Sequence, residues 1–236
     1  MFGPSDRTLS DERLARYEAD RTMLAVEFPG LKHIVHADGT GAEAAGTIPI
    51  NVGAGTVESI EVAAWFPHDY PRRPPTIYDA AARWTPAADR HIMPDHSFCL
   101  WLEHVDEPDV STVEGLREFL LRLVVFLQQQ FLFDDLGRWP TPDWAHGRTP
   151  AYAQHVREVL ALTSAEQLEA LWPLLLGAPQ ARARRCPCGS ARSYGRCHYE
   201  QVRRLRPIRP HLARHQDAIA SEIRKHLDHD PPPTAP

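Results

Sequence analysis

Two sets of cysteines point to two different chemistries. Cys99 stands alone in Asp89-Arg90-His91-Ile92-Met93-Pro94-Asp95-His96-Ser97-Phe98-Cys99-Leu100-Trp101, a polar stretch carrying two histidines and an arginine. A thiol near imidazole or guanidinium gains thiolate character, and the thiolate is the nucleophile. The plainer role for a single cysteine is a small buried apolar side chain. The other three are grouped: Cys186-Pro187-Cys188-Gly189-Ser190 is followed by Cys197-His198, with eight residues between Cys188 and Cys197. Three thiols and an imidazole complete a tetrahedral Cys3His set, the chemistry of structural zinc, and four protein ligands leave no open position for catalysis. A Cys-x-Cys pair reaches one metal only through a tight turn, which Gly189 permits. Arg184, Arg185, Arg192 and Arg196 are expected to favour the thiolates.

The rest of the chain has to position these groups. Its 236 residues, 43% hydrophobic and 24% charged, have the composition of one or two soluble globular domains. No apolar run approaches the ~18 residues of a membrane span, and the N-terminus does not read as a secretory signal. With only 4 cysteines, three of them clustered, a reducing cytoplasm is expected rather than a secreted disulfide scaffold. Charge is divided: 14 basic and 26 acidic residues up to position 180, then 12 basic and 5 acidic beyond it, or −12 against +7. A basic module of this kind can meet an acidic protein or, less favoured, nucleic acid, or can be a solvated face.

Periodicity predicts a helix over 10–28, with Ser10 as its cap and Pro29-Gly30 as its stop. Strand-like segments follow at Leu31–Ala37, Thr47–Val52 and Thr56–Phe66, with turns at Asp38-Gly39 and Gly53-Ala54-Gly55, the pattern of an antiparallel meander. Pro67, Pro71, Pro74 and Pro75 exclude helix or central strand there, and Thr76–Tyr78 suits a last short strand. Residues 79–111 lack periodicity, and an ordered loop of that length is more often functional than not. Val113, Leu116, Leu120, Leu123, Leu127 and Phe131 predict a long core helix over 112–133. Further helices are expected at 148–162, from Ser164 with a disturbance at Trp172-Pro173, and at 211–228, before a Pro-rich disordered tail. Gly39-Thr40-Gly41 lacks the lysine of a phosphate-binding loop.

Residues 186–198 resemble the SEC-C motif, departing from it at Ala191, Arg192 and Arg196. The resemblance implies a structural zinc and a docking role. The order of helix, meander, proline segment, irregular loop, Cys-Leu and long helix resembles the ubiquitin-conjugating enzyme (UBC) fold in its prokaryotic branch. Trp65-Phe66-Pro67-His68-Asp69-Tyr70-Pro71-Arg72-Arg73-Pro74-Pro75 matches that family's proline signature, and Phe98-Cys99-Leu100-Trp101 its active-site segment. Trp139-Pro140 and His146-Gly147 resemble a patch of the bacterial relatives. The likeness covers about residues 8 to 160. The His-Pro-Asn triplet of eukaryotic members is missing, and His91 stands eight residues before Cys99 in place of the asparagine.

The resemblance implies an α+β, UBC-like domain over 1–162, a helical linker over 163–184, and a zinc module with helix and tail over 185–236. It implies an acyl carrier: a ubiquitin-like protein held as a thioester on Cys99 and passed to an amine. His91 would steady the oxyanion or the amine, or else only brace the loop. Asp89 and Asp95, with His96 weaker, would be candidates to take the amine's proton. ATP would be used by a partner activating enzyme, and some bacterial relatives serve antiphage defence. Two alternatives stand beside this one: an inactive adaptor of the same fold that binds a ubiquitin-like protein or other partner and docks through its zinc module, and a Cys-His hydrolase. The ubiquitin-like modifier, its target and the oligomeric state are not legible in the sequence.

Overall fold

The computed structural model describes residues 11–35, 41–141 and 144–229. They fall into two compact units: Met1–Trp101 with Glu107–Pro142, and Leu102–Asp106 with Asp143–Pro236. Ser10, the Asp38-Gly39 turn, Gly39-Thr40 and the Pro-rich tail lie outside the described residues.

The first unit is α+β. Helix α1 (Asp11–Glu27) precedes strands β1 (Leu31–Val35), β2 (Ala42–Gly53), β3 (Thr56–Phe66) and β4 (Thr76–Asp79), and α2 (Val113–Leu136) closes it. The strands form an antiparallel sheet in the order β1-β2-β3-β4. Alternation fixes the buried face: Ala42, Ala44, Ile48 and Ile50 on β2, and Ile60, Val62, Ala64 and Phe66 on β3. They share one core with Tyr17 and Leu24 of α1 and Leu116, Phe119, Leu120, Leu123 and Leu127 of α2.

Strand β2 begins at Ala42, five residues earlier than its apolar pattern indicates. Ala44, Ala45 and Gly46 carry little strand signal, yet they pair with β1 and β3 at once. A Cβ at Gly46 would come within 1.9 Å of the Gly30 carbonyl oxygen, so the missing side chain is what admits the neighbouring backbone.

A buried polar network joins α1, the proline segment and the start of α2. The Tyr70 hydroxyl donates to Asp20 Oδ2 at 2.7 Å and accepts from Arg16 Nη2 at 2.6 Å. Arg16 also donates to Asp20 Oδ1 and to the carbonyls of Val110, Ser111 and Thr112. Asp20 is fully buried, and a buried charge is tolerated when it is paired and hydrogen-bonded in this way.

The second unit holds α3 (Arg148–Leu160), α4 (Ala165–Leu175), α5 (Tyr199–Arg204), α6 (Arg209–Arg214) and α7 (Gln216–His229). Val156, Leu160, Leu168, Leu171, Leu212, Ile219, Ile223 and Cys186 belong to a single apolar cluster. This differs from the expected division. Residues 144–162 belong with the second unit rather than with the UBC-like part, and the supposed linker 163–184 contributes Leu168, Leu171, Leu174 and Leu175 to its core. Amphipathic periodicity locates an apolar face but not the core it joins. The helix expected over 211–228 is two helices, broken at His215, whose backbone (φ −121°, ψ 26°) is non-helical. Pro173 sits inside the last turn of α4 without ending it. Among the described residues no helix is long and apolar enough to cross a membrane.

Candidate functional site

The stretch that lacked periodicity is ordered by backbone bridges. Ile92 pairs with Phe98, and Ser97 with Tyr78 of β4. The Phe98 N–H donates to the Ile77 carbonyl, and the Cys99 N–H to the His91 carbonyl, both at 2.8 Å. Ile92 and Phe98 point into the core, and the next residue, Cys99, is exposed. The pleat thus turns the thiol outward on a backbone fixed from both sides, and His91 and Cys99 become neighbours across the small hairpin.

Helix α2 holds this hairpin from beneath. The fully buried Gln130 donates from Nε2 to the Arg90 carbonyl at 2.6 Å. Arg90 pairs with Asp134, and its guanidinium lies over the Phe133 ring at 4.4 Å. That arginine is therefore directed to α2 rather than to activating a thiol. His91 adopts a left-handed backbone (φ 53°), and its half-buried ring meets Trp139 edge-on at 4.9 Å between centroids. Trp139 rests in turn on Phe126 and Phe133.

Of the acidic candidates, Asp95 accepts from both the N–H and the hydroxyl of Ser97, at 3.0 and 2.7 Å. The Ser97 hydroxyl, then its N–H, holds the Asp95 carboxyl below the usual carboxylate range. It braces the turn and is a weak base. Asp89 is exposed on the 3-10 turn Ala88–Arg90. His96 takes a left-handed conformation at the hairpin tip, where its carbonyl accepts from the Asp79 N–H. Gln130, Asp134 and the placement of Trp139 against His91 went unseen in the sequence. A polar residue in the apolar stripe of the long helix was the available sign for Gln130.

The second cluster lies in the second unit. One donor atom from each of Cys186, Cys188, Cys197 and His198 falls within 4.8 Å of all the others. The Cys188 and Cys197 sulfurs are 3.6 Å apart, and His198 Nδ1 lies 3.3 and 3.2 Å from the Cys186 and Cys197 sulfurs. Zinc–sulfur bonds of about 2.3 Å in a tetrahedron put sulfurs about 3.8 Å apart, so the donor set fits such an ion. His198 Nε2 lies 3.1 Å from the Leu160 carbonyl at the end of α3. Donating there leaves Nδ1 free to ligate, as outer partners of metal-bound histidines do.

The thiols answer first to burial, then to Ser190 and one another, and not, as expected, to the arginines. Burial pushes Cys186 up to about 12. Burial opposes ionisation of Cys188 too, but hydrogen bonds from Ser190 and the neighbouring thiols bring it down to about 6. Arg184, Arg185, Arg192 and Arg196 lie exposed around the knuckle.

Comparison with known proteins yields one family and one solved fold of note. Residues 80–141, which span the Cys99 hairpin and α2, match the family described as the prokaryotic E2 domain. The yeast vps23 UEV domain, solved with a vps27 PSDP peptide, is 21% identical over 61% of this chain and 92% of its own, with a TM-score of 0.38. No curated protein matches the chain.

Proposed function

From the premise that the chain carries a prokaryotic E2-like domain, we propose that it is an acyl carrier using Cys99. A partner enzyme spends ATP to activate the C-terminal glycine of a ubiquitin-like protein. The Cys99 thiolate attacks that carbonyl carbon, the activating group leaves, and a thioester forms. An amine, such as a target lysine, then attacks the thioester carbon. It loses a proton to a base and expels the thiolate, leaving an amide and restoring Cys99. A thioester suits this work because it keeps acyl-transfer potential while reacting slowly with water. One observation carries the proposal: within the segment matching the E2 family, Cys99 is exposed while its backbone is pinned to His91.

His91 is assigned the stabilisation of the oxyanion or the placing of the amine, with Asp89 ahead of Asp95 as proton acceptor. The adduct test is direct. The full chain is incubated with ATP and the activating enzyme and ubiquitin-like protein of the same cell. A thiol-reducible adduct is expected on the native protein, a reduction-resistant oxyester on Cys99→Ser and none on Cys99→Ala. An adduct on the Ala variant overturns the proposal. His91→Ala should leave loading intact and slow discharge to free lysine by about 10²-fold or more, in line with loss of one oxyanion donor. Unchanged discharge would reduce His91 to bracing the loop.

Cys186, Cys188, Cys197 and His198 are assigned a structural zinc in a SEC-C-like docking module. Metal analysis should give about one zinc per chain, lost in Cys186→Ser/Cys188→Ser; equal metal in the two proteins would refute it.

A further inference from the structure

The groups around Cys99 close into a circuit of ring contacts. Phe98, the residue before the thiol, meets Phe126 of α2 at 5.1 Å between centroids. Phe126 meets Trp139 at 5.4 Å, and Trp139 meets His91 at 4.9 Å. The His91 carbonyl accepts the Cys99 N–H, which brings the circuit back to the residue after Phe98. Trp139 is the member that belongs to neither the hairpin nor the helix. It is brought there by a reversal of the chain. Gly137, left-handed at φ 64°, ends α2 and donates to the Phe133 carbonyl at 2.8 Å. Gln129 Nε2 then donates to Thr141 Oγ1 at 3.2 Å, tying the returning segment to the helix. Between these two ties Trp139 is half-buried on Phe126 and Phe133.

We propose that Trp139 is a positioning residue that sets the orientation of the His91 ring for acyl transfer. The assignment rests on the reading of Cys99 as an acyl carrier and of His91 as the group that steadies the oxyanion or the amine. The His91 backbone is already fixed, by its left-handed φ of 53° and by its bond to Cys99. What is left is rotation about the side-chain torsions. An edge-on ring contact is directional, and the indole is itself held by α2, so it passes the order of the helix on to the imidazole. Orientation matters because a donor aimed at a developing oxyanion acts only within hydrogen-bond distance, and a small misplacement costs rate steeply. Trp139 touches no reacting atom in this scheme and acts only through His91.

Two measurements on the full chain test this, and the first needs no substrate. In NMR spectra of the histidine ring C–H groups, the His91 signal is identified by its loss in His91→Ala. The indole ring current should displace it from the position of a solvated histidine. Trp139→Leu, which keeps apolar packing on Phe126 and Phe133, should remove the displacement, and Trp139→Phe should keep part of it. The second measurement is discharge of the preformed Cys99 thioester to free lysine. Trp139→Leu should slow it about tenfold or more, Trp139→Phe should restore most of the rate, and Trp139→Leu added to His91→Ala should slow it no further. Circular dichroism of both variants should stay native. An undisplaced His91 signal in the native protein overturns the inference whatever the variants do. So does undiminished discharge in Trp139→Leu, or equal slowing in the His91→Ala background. If the native protein forms no thioester, the acyl-carrier reading fails instead, and the His91 signal alone decides whether Trp139 orients that ring.

Discussion

At the scale of single residues, polar groups enclosed by the first core govern both the Cys99 hairpin and the response to acid. Gln130 reaches from α2 to the Arg90 carbonyl, one residue before the carbonyl that receives the Cys99 N–H. Gln130→Leu keeps the volume but takes this partner from the half-buried Arg90 carbonyl, at a cost of about 1 kcal/mol. Chemical denaturation should record the loss, and the rate of Cys99 alkylation should change with it. An unchanged alkylation rate would separate Gln130 from the thiol. His33 gives the pH dependence. Its ring lies among Tyr17 and Phe66, and neither ring nitrogen has a partner among the described residues. Burial lowers its pKa from 6.5, against the opposing pull of Asp20. The unfolded chain therefore takes up the proton first. Stability is complete above pH 6.5 and declines as pH falls from there toward the folded value. His33→Phe should flatten the decline over that window in a series of urea melts; an identical acid limb would remove His33 as its source. None of this was visible beforehand, because a histidine in a strand does not reveal which neighbours enclose it.

At the scale of elements, the long helix was legible and the hairpin was not, for opposite physical reasons. Helix α2 announces itself through 3.6-residue periodicity and a Thr112 cap whose hydroxyl accepts from the Gly115 N–H at 3.0 Å. The Cys99 hairpin is held by isolated bridges to β4 and side chains of α2. These are tertiary contacts between residues far apart in sequence, which leave no local period. The long helix starts where the irregular stretch ends, and Gly115 marks the junction: a Cβ there would stand 2.0 Å from the Asp109 carbonyl oxygen. Gly115→Ala improves helix propensity by about 1 kcal/mol, yet should destabilise by about 1–3 kcal/mol because the loop must move away. Thr112→Ala, which only removes the cap, should cost about 1 kcal/mol. Equilibrium unfolding of the two variants orders these effects. A Gly115→Ala protein as stable as the parent would show that the approach of loop and helix yields freely.

At the scale of the whole molecule, the four candidate metal ligands were legible from spacing, but the extent of structure depending on them was not. A segment as short as the zinc module expected over 185–236 cannot bury an adequate core of its own without its metal. Instead Cys186 is buried in the cluster containing Leu160, Leu168, Leu212 and Ile219, and His198 reaches the last carbonyl of α3. Three crowded thiols cannot all ionise without a cation between them, so metal removal should return protons to the cluster and loosen its geometry. The loss should then spread beyond residues 186–198 to α3 and the helices that share its core. Hydrogen exchange with and without a chelator distinguishes the alternatives. Protection is expected to fall along α3, α4 and α5–α7, while β2, β3 and α2 keep theirs because their core is a separate cluster. Deprotection confined to 186–198 would mean that the apolar cluster holds the second unit together without its metal. Loss of protection throughout both units would mean that the two cores melt as one.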